Sequence, residues 1–283
     1  MQASIKYIRK ELAGVYPKEE IEGFVRLLFQ HLKNYQLTDL LMKADEQLSP
    51  EETEQIKTIV DRLKQHEPVQ YILGETEFFD LPFQVNQHVL IPRPETEELV
   101  QWILNQYAGT SPTILDVGTG SGCIPISLKH KLPEANIWAC DISEKALETA
   151  QANARLNDTE VHFFEMDILH PQLPEAFPAL NVLVSNPPYV TESEKEQMHP
   201  NVLEFEPSGA LFVPDHQPLL FYRALADFAK KHLSQTGSLF WEINEAYGEA
   251  CIALLKEKGF SNVQLKKDIN GKDRMIFATC STI

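Results

Sequence analysis

Cysteine is scarce in this chain: its 283 residues include only four, and no two of them form a C-x-x-C pair. Scattered cysteines in a chain of this length argue against a disulfide framework and favour reduced thiols, so we expect a cytoplasmic protein. The histidines show no metal-ligand spacing such as H-E-x-x-H, and the sequence offers no candidate metal site.

Long apolar runs are missing as well. No run approaches the roughly 18 apolar residues that would indicate a transmembrane helix. Near the N-terminus, Lys6, Arg9 and Lys10 are not followed by the apolar segment of a signal peptide. We therefore expect neither a membrane span nor a signal peptide.

Basic residues are few relative to acidic ones. The chain has 25 Lys and Arg against 41 Asp and Glu, which gives a formal net charge of −16. Binding to a nucleic acid backbone needs clustered basic residues, and the sequence has only pairs such as 230–231 and 266–267. We expect no direct nucleic acid partner, and the acidity favours a basic protein partner instead.

A glycine-rich turn follows a predicted strand at residues 113–117. Residues 118–122 are Gly-Thr-Gly-Ser-Gly, and a helix is predicted over 123–131. The dinucleotide pattern G-x-G-x-x-G would place its third glycine at Cys123, and no lysine stands where a P-loop needs one. The next strand ends in Asp141, where a carboxylate can accept both ribose hydroxyls. The pattern predicts a nucleoside pocket that suits S-adenosylmethionine better than NAD; the alternative is an ordinary strand–turn–helix unit.

A second motif stands at the end of the predicted strand 181–185, where open α/β sheets hold their ligands. Asn186 is followed there by Pro187, Pro188 and Tyr189. The prolines fix φ and lack an N–H, so the turn is stiff and its carbonyls are free to accept. The Asn186 Oδ1 and the Pro187 carbonyl can accept both hydrogens of a planar –NH₂ group, and Tyr189 can stack on its plane. The alternative interpretation is a simple turn.

These motifs together resemble a known family. Residues 116–122 resemble motif I of class I methyltransferases, and residues 186–189 resemble the motif used to methylate exocyclic or amide nitrogens. Residues 91–97 are similar to the segment typical of the HemK/PrmC family, the N5-glutamine methyltransferases of peptide chain release factors. The resemblance covers nearly the whole chain and is weakest over residues 1–60. Further matching segments are 68–74, 77–79 and 205–207.

The resemblance implies transfer of a methyl group from S-adenosylmethionine to the side-chain nitrogen (N5) of the glutamine in the Gly-Gly-Gln motif of class 1 release factors. An amide nitrogen is a weak nucleophile because its lone pair is delocalised, so the enzyme mainly has to position and polarise the amide. The catalytic residues are then Asn186, Pro187 and Tyr189, which bind the target together with Pro188. No dedicated strong base is evident.

The cofactor site that the resemblance implies is spread over the ends of several strands. Asp167 would accept from the adenine amino group, and Ile168 would pack on the ring, where many family members have tryptophan. Glu242 ends a later strand and either faces the site or lies on the surface. The implied cofactor-binding residues are Gly118, Thr119, Gly120, Ser121, Gly122, Asp141, Asp167, Ile168 and Asn186.

The predicted elements fall into a helical part and an α/β part. Residues 1–73 are expected to form a helical bundle, to which the resemblance gives the role of substrate recognition; the alternative is that it only packs on the catalytic domain. Residues 74–92 are expected to connect the two parts through a β-hairpin, and residues 93–283 to form the methyltransferase domain.

Alternating strands and helices in the second part predict an α/β fold. We expect a class I S-adenosylmethionine-dependent methyltransferase with a Rossmann-like, mainly parallel sheet, a C-terminal antiparallel hairpin and the N-terminal helical bundle. Segment 190–215 lacks periodicity, and a long loop of this kind is usually functional or mobile. The remaining predicted elements are helix 94–106, strand 136–140, helix 144–156, strand 161–164, helix 217–233, strand 238–243, helix 247–258, and strands 263–267 and 275–279 around an Asn-Gly turn.

Three other functions stay open. A DNA adenine-N6 methyltransferase would use the same Asn-Pro-Pro-Tyr motif, but the acidic charge and the lack of a basic target-recognition region argue against it. A glutamine methyltransferase of a ribosomal protein is a close relative, although residues 93–97 match the release factor branch better. An inactive protein-binding module is disfavoured by the intact glycines, Asp141 and Asn186. A monomer is the expected oligomeric state.

Overall fold

The computed structural model describes residues 1–280, so the last three residues of the expected 93–283 domain lie outside the described part. Its internal contacts divide the chain into two compact units. The first unit consists of residues 1–74 together with residues 199–205. Among the described residues, the second consists of residues 75–198 and 206–280.

The first unit is helical, because apolar residues recur at helical spacing and the helix starts are capped. In the fourth helix, Ser49 Oγ accepts from the Glu52 N–H at 3.0 Å, and the Ser49 N–H donates to Glu52 Oε2 at 2.7 Å. Pro50 stands at the first helical position, where its missing N–H costs nothing. The helices of residues 1–74 are α1 (Gln2–Leu12), α2 (Lys18–Lys33), α3 (Leu37–Met42), α4 (Pro50–Leu63) and α5 (Val69–Leu73).

A β-hairpin lies at the start of the second unit, within the segment 74–92. Strands β1 (Glu75–Phe78) and β2 (Leu81–Gln84) pair in antiparallel register, with Phe78 opposite Leu81. The apolar residues that alternate along it are buried, Phe78 to 1% and Phe83 to 0% exposure. The hairpin therefore contributes two large side chains to the core of the second unit.

A seven-stranded sheet forms the centre of the second unit. Its strand order is β10-β11-β9-β6-β3-β4-β5, and the five strands from β9 to β5 run parallel, while β11 and β10 pair antiparallel. This confirms the predicted fold class, including its C-terminal antiparallel hairpin. The elements of the sheet and its connections are α6 (Pro94–Tyr107), β3 (Thr113–Val117), α7 (Cys123–Lys131), β4 (Asn136–Asp141), α8 (Glu144–Leu156), β5 (His162–Glu165), β6 (Leu180–Ser185), β7 (Val190–Thr191), β8 (Phe212–Val213), α10 (Leu220–His232), β9 (Leu233–Glu242), α11 (Gly248–Glu257), β10 (Phe260–Lys267) and β11 (Asp273–Cys280). Helix α9 (Pro200–Phe205), which lies between β7 and β8 in the chain, belongs to the first unit.

Several expected elements have different bounds in the structure: the strand expected at 263–267 begins at Phe260, and the helix expected at 217–233 begins at Leu220. Two departures are larger. The strand expected at 238–243 begins earlier, at Leu233, because Leu233 pairs with Leu180 across a register shift in spite of the polar residues that follow it. The segment expected as an aperiodic loop contains short elements. Strands β7 and β8 pair there in parallel, and 3₁₀ turns occur at Glu192–Gln197 and Ser208–Ala210.

Apolar side chains fill both faces of the sheet. One buried cluster includes Leu183, Leu239 and Trp241 with residues of α10 and α11, and the other includes Val182, Val184 and residues of α6 and α7. Because both faces are covered, ligands can approach only at the strand ends. No helix within residues 1–280 is long and apolar enough to cross a membrane.

Candidate functional site

A cavity of about 510 Å³ opens at the carboxyl ends of β3, β4 and β6, entirely within the second unit. Its size is typical of a pocket for a small ligand. Of the residues expected at the site, two do not line this cavity, Gly122 and Tyr189. The expected residues that do line it are Gly118, Thr119, Gly120, Ser121, Asp141, Asp167, Ile168, Asn186, Pro187 and Pro188.

The glycine turn after β3 is held by backbone hydrogen bonds. The N–H groups of Gly118 and Thr119 both donate to the Cys140 carbonyl, at 2.9 and 3.0 Å. Gly118 and Gly120 have φ values of +74° and +55°, which glycine adopts without strain. The turn thus presents its backbone directly to the cavity.

Asp141 lies at the end of the next strand and closes this side of the cavity. Its Oδ2 accepts from the Gly120 N–H at 2.8 Å, and its Oδ1 accepts from the Ser143 N–H at 3.0 Å. Burial raises the pKa of Asp141, and these backbone hydrogen bonds oppose that shift. Each carboxylate oxygen keeps lone-pair capacity for a further donor, as a ribose would supply.

Unpartnered polar atoms lie around the glycine turn. Thr119 Oγ1, Ser121 Oγ and both carboxyl oxygens of Asp116 are buried without a hydrogen-bond partner. Burial raises the pKa of Asp116 to about 7. Buried polar groups without partners are rare and mark places where a ligand or water completes the bonding. Of these residues, Thr119 and Ser121 line the cavity, where their hydroxyls fit the amino acid end of S-adenosylmethionine, which offers both hydrogen-bond donors and acceptors.

Asp167 and Ile168 follow β5 at another edge of the cavity. Asp167 Oδ1 accepts from the Leu169 N–H at 2.8 Å, and Oδ2 lies 3.0 Å from His170 Nδ1. These two contacts orient the Asp167 carboxylate at the edge of the cavity. Ile168 is 9% exposed and presents an apolar surface to the cavity.

Asn186 stands where β6 ends, opposite the glycine turn. Its Nδ2 donates to Thr96 Oγ1 at 3.3 Å. Within residues 1–280, neither Asn186 Oδ1 nor the Pro187 carbonyl receives a hydrogen bond from the chain. Two consecutive residues that line the cavity thus each keep an acceptor oxygen without a donor from the chain, which suits a ligand group with two N–H donors.

Glu242 lies behind Thr96 and is buried to 2% exposure, so the surface alternative is wrong. Its Oε2 accepts from the Thr96 hydroxyl at 2.5 Å, and its Oε1 accepts from the Tyr189 hydroxyl at 3.3 Å. Burial raises the pKa of Glu242 to about 7, partly offset by the Thr96 hydrogen bond and the charge of Arg274.

Tyr189 reaches this buried carboxyl from the Asn-Pro-Pro-Tyr turn. Its hydroxyl also lies 3.5 Å from an Arg274 guanidinium nitrogen, and its backbone carbonyl accepts from Asn244 Nδ2 at 3.1 Å. Burial raises the pKa of Tyr189. The tyrosine therefore anchors the turn to β9 and β11, and its stacking on a target amide stays a prediction.

Thr96 was missed by the sequence analysis, although it falls within the segment 91–97 that was singled out there. No local pattern marks it, because its partner Glu242 is 146 residues away in the chain. A second contact of that segment joins Arg93 to Glu206 at 2.5 Å, with the Glu206 side chain only 2% exposed. This ion pair fixes the start of residues 206–213 beside the cavity, which Arg93 and Pro207 both line.

Across residues 1–280, no group of three or more His, Cys, Asp or Glu side chains is arranged to hold a metal ion.

Comparison with known proteins gives matches over both units. Residues 4–74 match the PrmC N-terminal domain, and residues 95–205 match the methyltransferase small domain. A release factor glutamine methyltransferase of Flavobacterium psychrophilum is 47% identical over 269 residues, which covers 94% of this chain and 94% of the relative. One from Bacteroides thetaiotaomicron is 42% identical over 272 residues, or 96% of this chain and 97% of the relative.

Among solved structures, a Thermus thermophilus 16S rRNA methyltransferase in complex with AdoMet and guanosine is similar in fold. Its TM-score is 0.50 at 18% identity, and the match covers 73% of this chain and 50% of that one. At this identity the likeness concerns the fold alone.

Proposed function

We propose that this chain, which belongs to the release factor glutamine methyltransferase family, methylates the glutamine side chain of the Gly-Gly-Gln motif in class 1 release factors. S-adenosylmethionine is the methyl donor. The observation that carries the proposal is the meeting of the glycine turn, Asp141 and the Asn186–Pro187 acceptors in one cavity. Their presence in the same cavity supports a nucleoside site next to an amide site, which methyl transfer between the two ligands requires.

The chemistry requires little beyond positioning. When bound, the cofactor supplies a methyl group on a sulfonium, and the N–C bond forms as the S–C bond breaks. Asn186 Oδ1 and the Pro187 carbonyl accept the two amide hydrogens and hold the nitrogen in line. They also favour the positive charge that develops on that nitrogen. The methylated nitrogen then loses one proton, and the other product is S-adenosylhomocysteine.

We assign the cofactor contacts to the residues around the glycine turn and the strand ends. Asp141 binds the ribose hydroxyls, Asp167 accepts from the adenine amino group, and Ile168 packs on the ring. Gly122 supports this site through the backbone of the turn. The turn residues that lie under the methionine part are Gly118, Thr119, Gly120 and Ser121.

The remaining assignments concern the partner and the domains. We assign substrate recognition to the helical part, residues 1–73, supported by its match to the PrmC N-terminal domain. We assign methyl transfer to residues 93–283 and a connecting role to residues 74–92. The proposed enzyme is a cytoplasmic monomer that binds neither nucleic acid nor membrane directly.

A methyl-transfer assay tests the function. The enzyme is incubated with labelled S-adenosylmethionine and a class 1 release factor, the same factor with its motif glutamine changed to alanine, or duplex DNA. Label on the intact factor alone, located at the glutamine by mass spectrometry, is the expected result. Label on DNA adenine, or no label on the intact factor, would refute the proposed substrate.

Asn186→Ala tests the site assignment in the same assay. Removing the acceptor should lower kcat by about 100-fold or more, because an acceptor group acting in the transition state is lost. Binding of S-adenosylmethionine, measured by calorimetry, should remain within a few-fold. Asn105→Ala, on the exposed face of α6, is the matched control and should be as active as wild type. Wild-type activity of Asn186→Ala would disprove the assignment.

A further inference from the structure

A chain of hydrogen bonds runs away from the cavity behind Asn186. Asn186 Nδ2 donates to Thr96 Oγ1 at 3.3 Å, and the Thr96 hydroxyl donates to Glu242 Oε2 at 2.5 Å. Thr96 and Asn186 line the cavity, whereas Glu242 does not. Glu242 therefore acts on a bound substrate through its hydrogen-bonded neighbours, and Thr96 is the neighbour that contacts Asn186.

The bonds in this chain have a fixed direction. A threonine hydroxyl has a single proton, and here that proton is donated to the Glu242 carboxylate, which can only accept. Thr96 Oγ1 must then accept from Asn186, so the –NH₂ side of the Asn186 amide turns towards Thr96. The other side, Oδ1, is left for the cavity as an acceptor.

The far end of the chain is fixed as well. The Tyr189 hydroxyl donates to Glu242 Oε1 at 3.3 Å and lies 3.5 Å from an Arg274 nitrogen that can only donate. If a group at residue 242 donated to the Tyr189 hydroxyl, the proton of that hydroxyl would have no acceptor, because Arg274 can only donate. This end of the network requires an acceptor at Oε1.

We propose that Glu242 and Thr96 are positioning residues that hold the Asn186 amide with Oδ1 towards the cavity, the orientation that accepts from the target nitrogen. A hydrogen-bond donor in place of Glu242 Oε2 would reverse that orientation and turn the Asn186 –NH₂ group towards the cavity. The inference rests on the proposed function, since it concerns the amide that grips the substrate. The buried Glu242 carboxyl, which does not line the cavity, then determines the orientation of the Asn186 acceptor, which does.

Glu242→Gln places such a donor there. Tyr189 still donates to the side-chain oxygen, so the new –NH₂ group faces Thr96 and donates to it. Thr96 is then free to donate its own proton to Asn186 and draws Oδ1 away from the cavity. Thr96→Val removes the link instead, which leaves the Asn186 amide without a preferred orientation but does not invert it.

A double-mutant cycle separates these effects. Glu242→Gln should lower kcat by about 10- to 100-fold, the equivalent of a hydrogen bond made in the wrong direction at a buried site. Thr96→Val should cost less, and adding it to Glu242→Gln should restore kcat to the level of Thr96→Val alone. Thr96→Ser keeps the hydroxyl and should remain close to wild type. A double mutant that is slower than Glu242→Gln would overturn the proposal, because independent structural damage adds.

The pH profile of kcat gives a second readout. Protonated Glu242 would donate to Thr96 as glutamine does, so wild-type kcat should fall as the pH drops through about 7, the raised pKa of Glu242. The Glu242→Gln enzyme, although slower, should not show this decrease in kcat at low pH, because glutamine does not titrate. The same decrease in both enzymes would contradict the proposal. The charged or titratable groups that face Glu242 are Arg274 on β11, Tyr189 after β6, Glu95 on α6, Cys123 on α7 and Tyr222 on α10.

Two controls keep this test separate from the proposed function and from folding. If the wild-type enzyme leaves the release factor unlabelled, the proposed function is refuted, and this result does not bear on the positioning chain, by which we mean the hydrogen bonds from Asn186 through Thr96 to Glu242. If wild type is active and Glu242→Gln matches it, the positioning chain fails and the function stands. Binding of S-adenosylmethionine and the thermal midpoint identify a variant that is inactive only because it is unfolded, and rescue by Thr96→Val cannot arise from unfolding.

Discussion

Glu242 combines two properties that oppose each other. It is buried to 2% exposure, and burial raises its pKa from 4.5 to about 7. An acid whose pKa is raised on folding stabilises the folded state while it is protonated. That contribution is complete below the unfolded pKa and is lost as the pH rises through the folded pKa. The ionised form that the positioning chain needs is therefore the form that the fold tolerates less well.

This opposition predicts a pH-dependent difference in stability between wild type and Glu242→Gln. Between about pH 5 and about pH 8, wild type should lose roughly 2–3 kcal/mol of unfolding free energy that the variant does not lose. Urea unfolding of both proteins at the two pH values measures it. Other carboxyls such as Asp116 are present in both proteins and cancel. A difference that is equal at the two pH values would show that Glu242 keeps its ordinary pKa in the fold.

At the residue scale, most residues of the two continuous motifs line one cavity, whereas Gly122 and Tyr189 do not. The glycine turn, Asp141 and Asn186 were singled out from their neighbours in the chain, and the structure brings them to one cavity. Thr96 could not be recognised in the same way, because its role depends on Glu242 and Asn186, which are 146 and 90 residues away. Only the packing of α6 against β9 makes them neighbours.

At the scale of elements, the start of α7 shows why the glycine turn ends in glycine. Gly122 has φ +80°, and a Cβ there would lie 2.9 Å from Ile126 Cδ1 and 3.1 Å from Ala150 Cβ. Gly118 has a similar φ of +74° but open space around it. Gly122 thus allows α7 to pack against α8, while Gly118 is constrained by its backbone alone.

Alanine substitutions should distinguish these two glycines. Gly122→Ala should lower the unfolding free energy by about 2–5 kcal/mol, because an overpacked contact adds to the cost of a left-handed backbone. Gly118→Ala should lower it by only about 1–2 kcal/mol, the backbone term by itself. Denaturant unfolding without ligand measures both. Equal losses would show that the packing around Gly122 relaxes without cost.

Elements were predictable in proportion to their length and periodicity. Strand β3 and helices α7 and α8 were predicted to the residue, because each joins a clear apolar pattern to a turn or a cap. Between residues 190 and 213 the prediction failed, since α9 has six residues and β7 and β8 have two each. Such short elements contain too few turns or alternations to produce a pattern, and their tertiary partners define them.

For the molecule as a whole, the net charge of −16 predicts salt-dependent recognition of a basic protein partner. Raising the salt concentration from about 0.1 M to about 1 M shortens the Debye length from roughly 10 Å to roughly 3 Å. The kcat/KM for the release factor should fall roughly tenfold over that range, because electrostatic steering is screened. The KM for S-adenosylmethionine should change little. A kcat/KM that does not respond to salt would exclude steering by charge.

The first unit is not a continuous stretch of sequence, since residues 199–205 belong to it. In that segment, the His199 ring stands edge-on to His66, with 5.7 Å between the ring centroids. A fragment that ends at residue 74 would lack residues 199–205 and would lose the contact between His199 and His66. Residues 1–74 alone are therefore not the complete helical unit. A chimera that exchanges this unit between relatives has to exchange residues 199–205 as well, because otherwise residues from two different proteins would meet inside the unit.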